Sequence, residues 1–148
     1  MQKVLIIISI FIFFPNLTYG KDEYFRTLRN DKTNLRLGPS FEYPIKIFYK
    51  KKFLPVLIQE KFGNFRKIRD HENNVGWIHV SQLSKKKAAI VVDGDLIMFK
   101  NPTIYSNPIV ALKEGRLVKI HKCRKKWCKI KSGDFKGWVK NKNLWGLF

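Results

Sequence analysis

Acidic residues are scarce in this chain of 148 residues: 11 Asp and Glu stand against 30 Lys and Arg, for a formal net charge of +19. So few carboxylates offer no pair that the sequence sets across a cleft, which removes the usual basis for general acid–base hydrolysis. Histidine and cysteine are scarcer still. Three His (His71, His79, His121) and two Cys (Cys123, Cys128) show no zinc-type ligand spacing, so no metal and no cofactor are expected. A thiol nucleophile needs a histidine base beside it, and no hydroxyl has a recognisable triad motif. The 9 glycines are scattered, so no glycine-rich loop leads into a helix to cradle phosphate. Helical periodicity never lasts three turns, and no apolar run reaches the roughly 20 residues that cross a bilayer. These gaps lead to an all-β protein that is not an enzyme.

What is present begins with a leader. The first twenty residues carry one lysine, an apolar segment from Val4 to Phe14, a Pro15-Asn16 break, and small residues at Thr18 and Gly20. That is the layout of a signal peptide over 1–20, cleaved between Gly20 and Lys21; a retained membrane anchor is the alternative. No cysteine near the junction can take a lipid. The mature chain would have no transmembrane span and keep 29 basic residues against 11 acidic ones, a net charge of +18. Such a charge favours polyanions: nucleic acid, anionic lipid or an acidic wall polymer. Export, to the periplasm or cell envelope, takes the chain away from nucleic acid. It also bears on the cysteines. In "KIHKCRKKWCKIK" a two-residue turn at Lys125-Lys126 sets Cys123 and Cys128 opposite each other on a hairpin. An oxidising compartment lets such a pair bridge; two free buried thiols are the alternative.

From residue 24 onward the chain reads as short strands. Ile45 and Ile47 share a face, as do Leu54, Val56 and Ile58, while Leu117 faces away from Val118 and Ile120. Turn residues recur at Gly38-Pro39, Gly63-Asn64, Asp93-Gly94 and Ser132-Gly133. The pattern also repeats. Phe65–Arg69 followed by Gly76–Leu83 ("FRKIR…GWIHVSQL") matches Trp127–Lys131 followed by Gly137–Leu144 ("WCKIK…GWVKNKNL"). Val56 precedes Phe65 by nine positions, and Val118 precedes Trp127 by nine. Two units follow, 24–84 and 87–148, joined through Lys85-Lys86-Lys87. Units of this size bury only about 60% of their chain surface, so packing side by side would help both.

The run "NLRLGPS" (Asn34–Ser40) with "GWIHVSQL" resembles the bacterial Src-homology-3-like (SH3b) domains. Their pattern is Asn-x-Arg-x-Gly-Pro-Ser near the start and Gly-Trp-hydrophobic near the end. The resemblance implies two tandem small SH3-like β-barrels, each of five to six strands, in an exported protein. It implies a binding module, since many members accompany cell-wall hydrolases or recognise peptidoglycan. Two departures stand out. The second copy has "DLIMFKNPT" (Asp95–Thr103) where the first has its motif, so a site built on that motif belongs to copy one. The stretch "KKKF" (Lys50–Phe53) lacks the family's usual glycine.

Within "NLRLGPS", Gly38-Pro39 turns a corner, Leu35 and Leu37 are expected to point inward, and Asn34 and Ser40 to hold the turn. Arg36 points outward, where its guanidinium could pair with a carboxylate. Trp77 and His79 lie on the strand face opposite Ile78 and Val80. Trp138 is expected to pack against the partner domain or to cover the barrel's end. Trp77 either does the same or, near Tyr43 and Phe48-Tyr49 in the family's layout, forms a stacking platform for a sugar or peptide. His79 stands where eukaryotic relatives carry the groove proline, and Gln82 where they carry the groove tyrosine, which argues against proline-rich ligands. The candidate ligand-binding residues are therefore Arg36, Tyr43, Trp77 and His79. The leading expectation is an exported module recognising a cell-wall peptide or glycan, or an envelope protein. The alternatives are a basic envelope protein held by charge to an anionic polymer or surface, and an accessory subunit of a cell-wall hydrolase.

Overall fold

Period-two alternation sets the strands. Burial alternates along Thr33–Arg36 and along Val75–His79, each residue turning to the opposite face from its neighbour. The computed structural model describes residues 22–147. The leader, with Gly20 and Lys21, lies outside the described residues.

Seven strands form the first sheet: β1 (Tyr24–Leu28), β2 (Thr33–Arg36), β3 (Ile45–Tyr49), β4 (Pro55–Phe62), β5 (Phe65–Arg69), β6 (Val75–His79) and β7 (Leu83–Ser84). Seven more form the second: β8 (Ala88–Val91), β9 (Leu96–Phe99), β10 (Pro108–Leu112), β11 (Leu117–Arg124), β12 (Trp127–Ser132), β13 (Phe135–Lys140) and β14 (Leu144–Trp145). A single 3₁₀ turn precedes the last strand of each, Val80–Gln82 and Asn141–Asn143. Strand order is β3-β2-β6-β5-β4-β1-β7 in the first sheet and β10-β9-β13-β12-β11-β8-β14 in the second. Adding seven to each strand number converts one into the other, so the repeat in the sequence is a repeat in space. The count exceeds the expected five to six because β7 and β14, two residues each, close the sheets.

Each sheet wraps its own core. Leu35, Val56, Ile58, Ile68 and Ile78 fill the first; Met98, Val118, Ile130 and Val139 fill the second. The Gly-Trp pair explains how the strands close on each other. A Cβ on Gly76 would lie 2.7 Å from the Arg36 carbonyl oxygen and 2.7 Å from Leu35 Cγ. A Cβ on Gly137 would lie 2.7 Å from the Phe99 carbonyl oxygen and 2.6 Å from Met98 Cγ. At both places β6 or β13 passes too close to β2 or β9 for any side chain.

The two barrels share a seam. Ile90 of the second unit is buried in the first core, with Val92 and Leu117 packed against it. Leu117 thus faces the partner barrel while Val118 faces its own, as their alternation requires. The Trp145 ring meets Phe25 edge-on at 4.9 Å, and Gly146 (φ +114°) leaves room for Pro55. This seam buries Pro55 and Leu57 as well as Val56 and Ile58, so β4 does not show the simple alternation its sequence predicts. Thr27 Oγ1 donates to the Lys86 carbonyl at 2.8 Å and ties the connecting lysines down.

Cys123 and Cys128 are cross-strand partners and form a disulfide, with Lys125 at φ +50° in the turn between them. A buried polar cluster lies in the first barrel. The Tyr49 hydroxyl donates to Asp70 Oδ2 at 2.8 Å, and Asp70 also accepts from the backbone amides of Glu72 and Asn74. Burial, and then the hydrogen bond to Asp70, hold the Tyr49 phenol well above its ordinary range.

Gly76→Ala should lower the unfolding free energy by about 1–3 kcal/mol, the usual cost of overpacking; an unchanged urea midpoint would contradict the close crossing of β6 and β2. A phenol whose pKa is raised by folding stabilises the protein fully below its unfolded pKa of about 10 and loses that contribution as pH rises above it. The stability of the native chain should therefore fall more steeply between about pH 10 and pH 11 than that of Tyr49→Phe, measured by urea denaturation at each pH.

Candidate functional site

The corner after β2 is built around Arg36. Its Nη1 donates to the carbonyl oxygens of Phe41 (2.9 Å) and Tyr43 (2.7 Å), so one guanidinium nitrogen pins the whole 37–44 loop. The Leu37 amide closes the loop onto the Pro44 carbonyl at 3.1 Å, and Ser40 Oγ accepts from the Glu42 amide at 3.2 Å. Arg has five N–H donors. The Nη1 bonds leave the Nε–H and the Nη2 hydrogens unpaired among the described residues, and that edge has the fork geometry that matches a carboxylate.

Several details of this corner differ from the sequence reading. Gly38 does not take a positive φ; it is needed for space, because a Cβ there would sit 2.5 Å from the Tyr43 ring. Leu37 does not point inward but is 60% exposed, since β2 ends at Arg36 and its alternation stops there. Asn34 does not hold the turn through its side chain. Its backbone N–H donates to Gln82 Oε1 at 3.2 Å, and its own Oδ1 is buried without a partner among the described residues. Gln82 is thus a brace between the 3₁₀ turn and β2.

Arg36 and Trp77 are direct cross-strand partners and so share the outer face of the sheet. Lys67 is Trp77's partner on the other side, and Glu60 lies beyond, paired with Lys67 at 3.4 Å. At the end of the same face, Phe65 lies across from His79, their rings 5.2 Å apart. Phe41, carried by the Arg36-pinned loop, packs on both, 5.0 Å from His79 and 5.2 Å from Phe65, with the Arg36 guanidinium 5.6 Å from its ring. His79 caps the 3₁₀ turn: Nδ1 accepts from the Ser81 amide at 3.3 Å and lies 2.7 Å from Ser81 Oγ. With Nδ1 accepting, the neutral ring carries its proton on Nε2.

Arg36, Trp77 and His79 are therefore brought to one face. Tyr43 contributes its carbonyl to Arg36 and its ring to Gly38, rather than stacking beside Trp77. The expected cluster of Trp77 with Phe48 and Tyr49 does not form: Phe48 lies across from Asn34 with Lys32 over its ring, and Tyr49 belongs to the core. The ring beside Trp77 is Phe62, at 6.4 Å and 63% exposed. Phe41, Phe62 and Phe65 are the members that sequence reasoning missed. Phe65 was within reach, since pairing "FRKIR" with "VGWIH" across the Asp70–Asn74 turn sets it opposite His79.

In the second barrel Phe99 stands where Arg36 stands in the first, across from Trp138. Trp138, expected to pack on the partner domain or to cover the barrel's end, has the ammonium groups of Lys122 and Lys129 over its ring, each 5.9 Å from its centre. The seam tryptophan is Trp145. Among the described residues no group of three or more His, Cys, Asp and Glu could hold a metal, and no helix is long and apolar enough to cross a membrane.

No curated protein matches the sequence. Among solved structures, NlpC2 from Trichomonas vaginalis is similar at 13% identity and TM-score 0.39, over 84% of this chain and 48% of that one. NlpC1 from the same organism is similar at 12% and 0.38, over 86% and 47%. An NlpC/P60 family protein from Bacillus cereus is similar at 10% and 0.37, over 82% and 55%. The chain thus spans about half the length of each. The model of the bacterial SH3 domain matches twice, over residues 29–85 and 92–146, one match to each barrel, and the chain belongs to the bacterial SH3 domain family.

Proposed function

We propose that this protein is an exported, non-catalytic binding module that recognises a carboxylate-bearing cell-wall peptide or glycan, or an envelope protein presenting the same chemistry, through the outer face of its first barrel. One observation carries the reading. The Arg36 guanidinium spends Nη1 on its own loop and keeps its other edge unpaired, beside Trp77 and the exposed ring of Phe41. A carboxylate docking on that edge gains a charge-assisted, forked pair. Trp77, Phe41 and Phe62 supply flat area for a sugar or an aliphatic side chain at little entropic cost. Because Nη1 already fixes the guanidinium plane, the ligand does not have to order it. His79, held by Ser81, offers its Nε2–H at the edge of the same surface. Family membership supports a binding role, and the leader at 1–20 supports action in the periplasm or envelope.

The chain from Lys21 onward should co-sediment with purified peptidoglycan at about 0.05 M salt and remain bound at about 0.5 M, where screening shortens to roughly 4 Å. Trp77→Ala should weaken binding by roughly fivefold or more, the loss of about 1 kcal/mol of aromatic contact. Arg36→Gln should weaken it by roughly tenfold or more, the scale of a charged hydrogen bond. Unchanged binding by Trp77→Ala, with its thermal midpoint intact, would remove this face from the function.

A further inference from the structure

The second barrel carries a different surface on the matching strands. In the β11–β12–β13 sheet, Lys119, Lys131 and Lys136 are successive cross-strand partners. The next outward-facing row is Lys122, Lys129 and Trp138, and the last is Arg124, Trp127 and Lys140. Direct partners share a face, and the register shift between Ile120 and Lys122 keeps all three rows on the outside. Ile120, Ile130 and Gly137 occupy the inner row between them. Strands lie about 4.8 Å apart and same-face residues about 6.8 Å apart, so seven cations fill a patch of roughly 10 by 14 Å around two indoles.

No carboxylate moderates this patch. The second barrel has four acidic residues. Asp95 binds Lys113 and the Glu114 amide, and Glu114 accepts from Gly94, which gathers these two with Asp93 at the turns away from the sheet face. Asp134 lies at the hairpin tip, beyond the closing pair Ser132–Phe135. None of the seven cations forms an ion pair among the described residues. Like charges set directly opposite one another on a sheet oppose its pairing, and the frame does not demand them. In the first barrel the same positions hold Leu57, Arg69 and Val75; Glu60, Lys67 and Trp77; Phe62, Phe65 and His79. Glu60 has become Lys122 and His79 has become Lys140.

We infer that this face of the second barrel is a separate binding site for a linear phosphodiester polymer of sugar or polyol units, which lies across β11–β13 with its phosphates among the lysine ammonium groups and its uncharged units along the lysine stems that lie over Trp138. Six of the seven cations are Lys, which bind phosphate as point charges on flexible stems and can follow successive phosphates along a chain, where the first barrel presents the forked Arg36. A polymer is favoured over a bilayer because both indoles are half-buried and Lys122 and Lys129 cover the Trp138 ring, which leaves Phe135 at the hairpin tip as the single exposed large apolar side chain of β11–β13, too little to anchor the face in lipid. A disulfide at Cys123–Cys128 fastens the hairpin end that carries Arg124 and Trp127.

The test is anisotropy of fluorescent poly(glycerol phosphate) against the chain from Lys21 onward, over a salt series from about 0.05 to 0.5 M. Lys122→Gln/Lys129→Gln/Lys131→Gln should weaken binding by roughly tenfold or more at about 0.15 M salt. It should also flatten the slope of log K on log salt by about two, near 0.7 for each lysine–phosphate pair that the substitutions remove. The control Lys50→Gln/Lys51→Gln/Lys85→Gln removes the same charge from exposed positions elsewhere and should cost no more than about twofold. Equal losses from both triples would overturn the site, leaving net charge as the cause. Patch-dependent binding to phosphatidylglycerol vesicles without binding to the polymer would overturn it in favour of a membrane. Equally tight binding of oligo(dT) of matched charge would overturn the sugar or polyol preference. Arg36→Gln and Trp77→Ala should leave this binding unchanged, so the reading of the first barrel stands or falls apart from this one.

Discussion

Both barrels depend on one close approach, the passage of a glycine over the backbone of the strand beside it. Gly76 lies against the Arg36 carbonyl and Gly137 against that of Phe99. Only a residue without a Cβ lets β6 reach β2, and only that contact turns an antiparallel meander into a closed wall around the Leu35 and Ile78 side chains. The tryptophan one residue on is thereby forced to the outer face, directly across from Arg36 in one copy and from Phe99 in the other. Closure of the core and placement of the candidate site are the same event. Arg36 shows this most directly: its carbonyl receives the glycine while its guanidinium holds the loop that brings Phe41 over Phe65 and His79.

The second constraint is size. A barrel of about sixty residues has little interior, and here each borrows from the other. Ile90 lies in the first core although its strand belongs to the second sheet, and Trp145 closes over Phe25 from the far end of the chain. The seam explains why β8 is buried at every position and why β4 is buried at four in succession, patterns that a single barrel with one wet face would not produce. It also leaves Trp77 and Trp138 out of both cores, with the edge of the Trp138 face reaching the first barrel where the Lys119 ammonium lies 4.9 Å from the centre of the Phe53 ring.

The parts of this structure that were legible in the sequence are those fixed by local alternation and turn chemistry. The repeat, the glycine pairs, the strands around them and the opposed cysteines all depend on neighbours within about a dozen residues. What was missed arises from bulges and from distance. Register shifts add Gln59 to β4 and His121 to β11 and break the period of two there, which is why the lysines of β11 do not read as one face, while Leu37 faces solvent because β2 ends at Arg36. Trp145 and Ile90 meet the first barrel across long stretches of chain, and no periodicity marks such a contact. The Trp77 neighbourhood failed for the same reason. Phe62 reaches it from the neighbouring hairpin, whereas Phe48 and Tyr49, drawn from an expected layout, lie on the far side of β2.

Having two copies in one chain separates frame from ligand chemistry without a second protein. Many positions that match between the copies face inward or set the backbone, as do Val56 and Val118, Ile68 and Ile130, Gly76 and Gly137, Leu83 and Leu144, while Lys67 and Lys129 and the two tryptophans Trp77 and Trp138 match on the outer face. Core positions such as Leu35 and Met98 or Ile78 and Val139 differ but stay apolar, whereas many outward positions that differ change in charge. Glu60, Phe62 and His79 of the first copy correspond to Lys122, Arg124 and Lys140 of the second, while Arg36 corresponds to Phe99. Random drift toward lysine would scatter new charge over every exposed strand. Instead β9 and β10 together hold no Lys or Arg, while β11, β12 and β13 hold seven. Within the strands of the second barrel, positive charge is therefore confined to β11–β13. It lies on the same three strands that in the first copy carry aromatics and a paired carboxylate, so one architecture presents two faces of different chemistry on a single fused body.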